Sequence, residues 1–541
     1  MSMKRLFTIV CCFFVVASAV LAQNAMEAHG QHGVCGTQEL DVIRDRLFEN
    51  RYALENSLLI QERGAKKYVP IKFHLIGKAD KSGRVNEIKV LENLCQLNID
   101  YADQEIVFYL SGGTFNYIDN DNAYTDPGKV GQFLQGKRDP KAINVFIALN
   151  ATSEGGGALG GVTLGYYTPS RDWLVIRKDQ VNSNSGTVSH EFGHFFSLLH
   201  PHNGWDQKSF LQEYFGDNGS WAQVPAYFKV TNPTSPGGTA VECFNGSNCK
   251  SAGDFICDTP ADYNFGFGWN ACSKFDKRLI GPCDKDTIKD VDENLFMAYF
   301  IGCKDYYFSK EQKALVNADY LSSKRAYIRP AFVPTPMVTT NTKLIYPVTA
   351  PGSPVFIQTQ FDNIDLVWEA TPNATNYIVE IDRLNTFASV EYQRFYVPAT
   401  QLKQVVKNLK PNFTYFWRVL PYSDGGLCMD WSLVSKLATS FKTGSVSATN
   451  EFNGLNGIIL APNPVAQGST LTLTMNTEKA NNCYVSLLDV AGKTIINYGE
   501  KALVPGFNSL DLSLQNVAYG TYLVRITVDG KPVTRKVVVA E

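Results

Sequence analysis

The stretch Val188-Ser189-His190-Glu191-Phe192-Gly193-His194-Phe195-Phe196-Ser197-Leu198-Leu199-His200 decides how this chain is read. An α-helix completes a turn in about 3.6 residues, so histidines four apart project from one face. Glu191 between them then stands beside whatever the two imidazoles hold. Two imidazoles and a neighbouring carboxylate suit a bound Zn²⁺ and a base that works on its water. Val188, Phe192, Phe195 and Leu199 recur at spacings of four, three and four, which predicts a core-facing stripe opposite His190 and His194. Histidines present by accident would not segregate so cleanly from the apolar stripe.

A catalytic zinc takes three protein ligands and keeps one position open. His200, six residues after His194, and Glu213, in Leu211-Gln212-Glu213-Tyr214, are the two candidates for the third. His190, His194 and His200 resemble the HExxHxxGxxH pattern of metzincins, which favours His200, whereas Glu213 would suit a thermolysin-like zincin. His202 is a near neighbour at no known ligand spacing. Ser197 stands where the metzincin pattern has glycine, at a turn that calls for a left-handed backbone.

The chain has 541 residues, enough for three to four domains. Hydrophobic residues make up 44% and charged residues 19%, the balance of folded material rather than a disordered chain. The net charge is −2 and no basic tract follows a phosphate backbone, which argues against a nucleic-acid partner. Residues 1–22 read as a secretory signal peptide: Lys4 and Arg5, then apolar Leu6 to Val16, then Val20-Leu21-Ala22. No other stretch has the length to span a bilayer, so the mature chain is expected to be exported without a transmembrane segment. Six cysteines (Cys243, Cys249, Cys257, Cys272, Cys283 and Cys303) cluster in this oxidising setting, and disulfides are expected, with the pairing left open.

Residues 23–66 form a pro-segment with a helical apolar spacing from Leu40 to Leu59 and a Cys35-Gly36 pair. Over 67–330 strand and helix patterns alternate: Tyr68–Ile76, Val85–Ile99, Ile106–Leu110, Ile143–Leu149, a glycine-rich run Gly155–Gly165, Trp173–Ile176 and the histidine helix. A Pro- and Thr-rich linker spans 331–349. Residues 350–445 change to short strands and carry Trp368, Tyr377, Leu409-x-Pro411-x-x-x-Tyr415 and Trp417, which resemble a fibronectin type III sandwich. Residues 453–541 carry Ala461-Pro462-Asn463-Pro464, Leu488-Asp489-Val490-Ala491-Gly492-Lys493, Gly520-Thr521-Tyr522-Leu523-Val524-Arg525-Ile526 and an Asp529-Gly530 turn. They resemble the C-terminal sorting domain of type IX secretion cargo in Gram-negative bacteria. That likeness implies handling by the type IX machinery and a destination outside the cell or on the outer surface of the outer membrane. The fold class expected is thus multidomain: an α/β catalytic domain of mixed sheet plus helices, followed by two β-sandwich domains.

Asn294-Leu295-Phe296-Met297-Ala298-Tyr299 is similar to a metzincin Met-turn, with Met297 beneath the zinc and Tyr299 a partner for the oxyanion. With Gly253-Asp254-Phe255-Ile256-Cys257-Asp258-Thr259-Pro260 and the cysteine cluster, residues 68–325 resemble the pappalysin family, including ulilysin-like bacterial enzymes. The resemblance implies a zinc endopeptidase in which Glu191 takes a proton from zinc-activated water and returns it to the leaving amine. It also implies structural calcium, for which Glu242, Asp254, Asp258 and Thr259 offer hard oxygens. Extended substrate would pair with the strand at Val162–Tyr167 or Leu174–Ile176. Relatives carry paired acids after the Met-turn tyrosine, tied to basic cleavage sites. Phe300, Ile301 and Gly302 stand there instead, so a preference for arginine is not carried over. Cys35-Gly36 resembles a zymogen latch that offers zinc a thiolate, and a Cys35–Cys95 disulfide is the competing reading. The alternative to a protease is a surface adhesin or binding protein on a metzincin scaffold.

Overall fold

The computed structural model describes residues 33–58, 66–152, 162–269, 272–283, 286–288, 291–349, 357–359, 361–426, 428, 431–439, 455–477 and 479–540. The expected signal peptide, the start of the pro-segment and the run from Gly155 to Gly161 lie outside the described residues. The chain divides into two compact units, Met1–Val338 with Ser423–Cys428, and Thr339–Tyr422 with Met429–Glu541.

The first unit is built on β1 (Gly33–Cys35), β2 (Lys67–Gly77), β3 (Ile106–Leu110), β4 (Asn116–Asp119), β5 (Ile143–Ala148), β6 (Val162–Thr168) and β7 (Trp173–Arg177). Their order is β1-β6-β7-β5-β2-β3, with β4 also on β2. β2, β3, β4, β5 and β7 run parallel, and β6 runs antiparallel to β7. Parallel strands covered on both faces are apolar throughout rather than alternating, and β5 is buried along its whole length. β1 comes from the expected pro-segment and pairs with β6 in parallel, on the edge where substrate pairing was expected.

The helices that matter here are α1 (Leu40–Glu55), α2 (Glu87–Asp100), α3 (Thr187–Phe195), α4 (Phe210–Phe215) and α5 (Lys310–Leu321). The starts follow local chemistry: Asn86 accepts from the Ile88 N–H at the head of α2, and Ser309 with Gln312 forms a capping box on α5. Phe210, Trp221, Tyr263, Phe265 and Phe275 pack an aromatic core. Disulfides Cys243–Cys283, Cys249–Cys257 and Cys272–Cys303 brace that region. The Cys35–Cys95 alternative is overturned: Cys95 on α2 is bonded to Cys428, and Cys35 is a free thiol. The physical reason is the β1 pairing, which commits Cys35 to the β6 edge.

In the second unit, strands Leu344–Tyr346, Ile364–Trp368 and Lys403–Val406 form a three-stranded sheet, so β-structure begins ahead of the expected boundary at 350. A five-stranded sheet, including Asn376–Asp382 and Thr414–Tyr422, completes the sandwich. Trp368 and Trp417 are fully buried in it, and the Tyr415 hydroxyl accepts from the Lys410 N–H at 2.9 Å, the bond of a tyrosine corner. The last domain pairs a three-stranded sheet with a five-stranded one. Its final hairpin joins Gly520–Val528 to Lys531–Ala540 through Asp529-Gly530, both at positive φ. Among the described residues no helix is long and apolar enough to cross a membrane.

Candidate metal centre

Helix α3 is short, and its apolar stripe is buried as its spacing predicts. His190 and His194 leave the other face toward His200, which returns to them after the helix ends. The Nε2 of His200 lies 3.1 Å from that of His190 and 3.0 Å from that of His194. Each Nδ1 is turned away to an acceptor: the Phe296 carbonyl at 2.7 Å for His190, the Leu198 carbonyl at 2.8 Å for His194, and Asp206 for His200. An imidazole that donates from Nδ1 carries a lone pair on Nε2. Three such lone pairs aimed at one point repel each other unless a cation lies among them. Tetrahedral zinc with Zn–N near 2.0–2.1 Å would set its nitrogens about 3.3 Å apart, so the residues fit that ion. Burial holds all three rings neutral, His190 down to about 4 and the other two well below their usual value. Neutral imidazole is the form that binds metal.

The turn after α3 forms despite the serine. Ser197 has φ 67°, its N–H bonds the His194 carbonyl, and Leu198 N–H bonds the Gly193 carbonyl. The Ser197 hydroxyl accepts from Asn50 of α1 at 2.8 Å, so that helix helps hold the left-handed residue. Met297 is fully buried against the helix. A Cβ on Gly193 would stand 2.3 Å from its sulfur, and only glycine allows that approach.

Cys35 Sγ belongs to the same group of convergent atoms as His190, His194 and His200. It lies 3.4 Å from Glu191 Oε2, and the Thr37 hydroxyl donates to that oxygen at 3.1 Å. Cys35 N–H donates to the Tyr299 hydroxyl at 3.1 Å. Burial, then the charge of Glu191, raises the Cys35 thiol well above its ordinary pKa. Burial likewise lifts Glu191 to about 8 and Tyr299 well above its ordinary value. Gly36 follows because a Cβ there would meet Thr163 of β6 at 2.6 Å.

Other sequence candidates fall elsewhere. Glu213 on α4 is ion-paired with Lys208 at 2.9 Å and is not in the convergent group. The His202 ring is stacked on His200 at 4.6 Å and 6°, so its lone pairs, which lie in the ring plane, do not aim where the three Nε2 atoms meet. Glu242 and Asp254 are buried near each other, and a Cβ on Gly253 would strike Glu242. Thr259 donates to Asp254 at 3.0 Å, whereas Asp258 accepts from Ser309 and from the Glu311 N–H at the head of α5. The structure therefore does not gather the four oxygens into one cluster. Three residues escaped the sequence reading: Asp206, Thr37 and Asn50. Asp206 follows His200 by six, and Thr37 follows the Cys-Gly pair directly, but neither spacing had a template to set it apart.

Comparison with known proteins bears first on the far end of the chain. Residues 460–540 match the secretion system C-terminal sorting domain. The sorting domain marks the chain as type IX cargo bound for the cell surface or the extracellular space. No curated protein matches the sequence. Among solved structures, a Tannerella forsythia promirolysin mutant is 17% identical and covers 55% of this chain and 97% of its own, at a TM-score of 0.35. The FN1–FN3 domains of chicken CNTN1 are 12% identical over 38% of this chain and 66% of theirs, at a TM-score of 0.15. The fn3 domain of human contactin 1 is 16% identical over 21% of this chain and 93% of its own, at a TM-score of 0.16. Likenesses this distant do not bear on the reaction.

Proposed function

We propose that this chain is a secreted zinc endopeptidase of the metzincin type, made with its N-terminal segment seated in its own cleft. The observation that carries this reading is the meeting of three Nε2 atoms beside a buried Glu191. His190, His194 and His200 would hold the ion, with Asp206 orienting His200. When bound, zinc supplies a Lewis acid for the peptide carbonyl and lowers the pKa of water. Glu191, buried beside the three imidazoles, stands where it could take a proton and later give it to the leaving amine. Tyr299 offers an O–H beside the histidines for an oxyanion. Extended substrate would lie along β6, where β1 is paired now.

Cys35 and Thr37 reach those same groups, which supports a latched zymogen. A calcium ion at Glu242 and Asp254 belongs to the same reading: the Glu242 Oε2 is buried with no hydrogen-bond partner among the described residues. The test uses purified full-length protein, Glu191→Ala and Cys35→Ala on a peptide library, with and without chelator. Cleavage should depend on Glu191 and metal, and should appear sooner in Cys35→Ala. No Glu191-dependent cleavage, in any variant, would defeat the protease in favour of a binding protein. Unchanged latency in Cys35→Ala would remove the latch alone.

A further inference from the structure

Beside His190 and Glu191 lies a cavity of about 280 Å³, enough for one side chain rather than a large ligand. One wall is the loop between β7 and α3, with Gln180 and Ser185, together with Thr187 at the head of α3. The other follows Tyr299 along Phe300, Ile301 and Gly302. A substrate bound for cleavage at Glu191 would place a side chain flanking the scissile bond here.

The charges on this lining are few. Apart from Glu191, the acid is Asp179, and both its oxygens are taken by the Arg177 guanidinium, Oδ1 at 2.6 Å from Nε and Oδ2 by Nη2. The Gln180 carboxamide is held in place: its Oε1 accepts from Ser185 at 3.1 Å and from Thr187 at 3.2 Å, and its Nε2 donates to Asp179 at 3.4 Å. On the facing wall, the Phe300 carbonyl accepts from the Tyr306 hydroxyl at 2.6 Å, which brings an aromatic ring to the lining. A lysine or arginine entering this cavity loses water and, among the described residues, finds amide, hydroxyl and aromatic groups but no free carboxylate other than the reacting one. An acidic side chain meets Glu191 and Asp179. An uncharged side chain meets neither cost.

We propose that Gln180, set against Phe300, Ile301 and Gly302, makes this cavity a subsite that selects an uncharged side chain next to the cleaved bond. The inference rests on the protease reading and names a substrate class for it. Gln180 is the specificity-determining residue, because it fills with a neutral amide the position where an isosteric carboxylate would recruit a cation.

The experiment takes the protein once proteolysis has released its N-terminal segment from β6, loads it with zinc, and profiles peptides varied on both sides of the cleaved bond. One flanking position should show kcat/KM for lysine and arginine about tenfold or more below glutamine, leucine or phenylalanine. Gln180→Glu keeps the acceptor for Ser185 and Thr187 and adds a carboxylate, at the cost of the Nε2 bond to Asp179. Ile301→Asp adds one on the opposite wall at a partly exposed position, which guards against a folding failure of the first variant. Each should raise the basic-to-neutral ratio about tenfold. Basic selectivity in the parent, or a ratio unmoved in both variants, overturns the proposal. A second readout needs no turnover: Glu191→Ala, its N-terminal segment released by limited proteolysis with an added protease, should bind the leucine version of matched peptides more tightly than the lysine version in calorimetry, and equal measurable affinity overturns the proposal. Failure of all Glu191-dependent cleavage would instead defeat the protease reading, while the calorimetry still tests the cavity.

Discussion

Asp206→Ala should weaken zinc binding without unfolding the chain. His200 Nδ1 donates to Asp206 Oδ1 at 2.5 Å, and the Gly204 N–H donates to Oδ2 at 2.8 Å. The two side chains are 2% and 9% exposed, so water does not readily replace the carboxylate. Truncation leaves a buried imidazole N–H without its partner, a cost of about 1–3 kcal/mol. It also frees the His200 ring to turn away from the two other Nε2 atoms. Loss of such an orienting partner typically costs about 10–100-fold in metal affinity, or about 1.4–2.7 kcal/mol. Asp206→Asn keeps an acceptor but not the charge, and should fall between parent and alanine. The assay is competition for zinc against a chromophoric chelator in a Cys35→Ala background, which removes the thiol as an added ligand. Thermal melts of the metal-free proteins separate lost affinity from lost fold. If Asp206→Ala binds zinc within about twofold of its parent while the metal-free fold is intact, His200 is not a ligand oriented by Asp206.

Gly193→Ala should destabilise the first unit by about 1–3 kcal/mol, because its Cβ would sit 2.3 Å from Met297 Sδ and 3.3 Å from Phe308. Adding Met297→Ala should recover part of that loss in a double-mutant cycle read by urea denaturation, and strictly additive effects would refute the contact. Glu242 and Asp254 are raised by burial first and then by neighbouring carboxylates, to about 10 and about 8. Their folded pKa values exceed the unfolded ones, so the unfolded chain gives up protons first. Stability from this pair is therefore full below about pH 4 and is lost as pH rises toward 8 for Asp254 and 10 for Glu242. Calcium should restore the loss at pH 8 to 9 relative to chelator, and equal urea midpoints with and without it would count against an ion there.

Much of the fold was legible because its elements are long and strictly patterned. The helix pattern at Val85–Ile99 forms as Glu87–Asp100, and the strand expected at Tyr68–Ile76 forms as Lys67–Gly77. The cysteine pairing was not legible, since pairing follows distance in the folded chain, and Cys95 meets Cys428 across 333 residues. Ser197 looked like a departure from the turn pattern; the turn forms anyway, with a long-range bond from Asn50.

At the candidate site, the sequence by itself determined that His190 and His194 share a helix face with Glu191 beside them, because helix periodicity is a local property. It also determined the character of the last domain, whose turn and strand motifs are local as well. Only the tertiary structure brought His200 and not Glu213 to the other two imidazoles, set Asp206 behind His200, and brought Met297 under Gly193. It alone put Cys35 and Thr37 over Glu191, by pairing β1 with β6. These choices depend on which surfaces are buried together, and burial is a property of the whole packed chain rather than of any spacing along it.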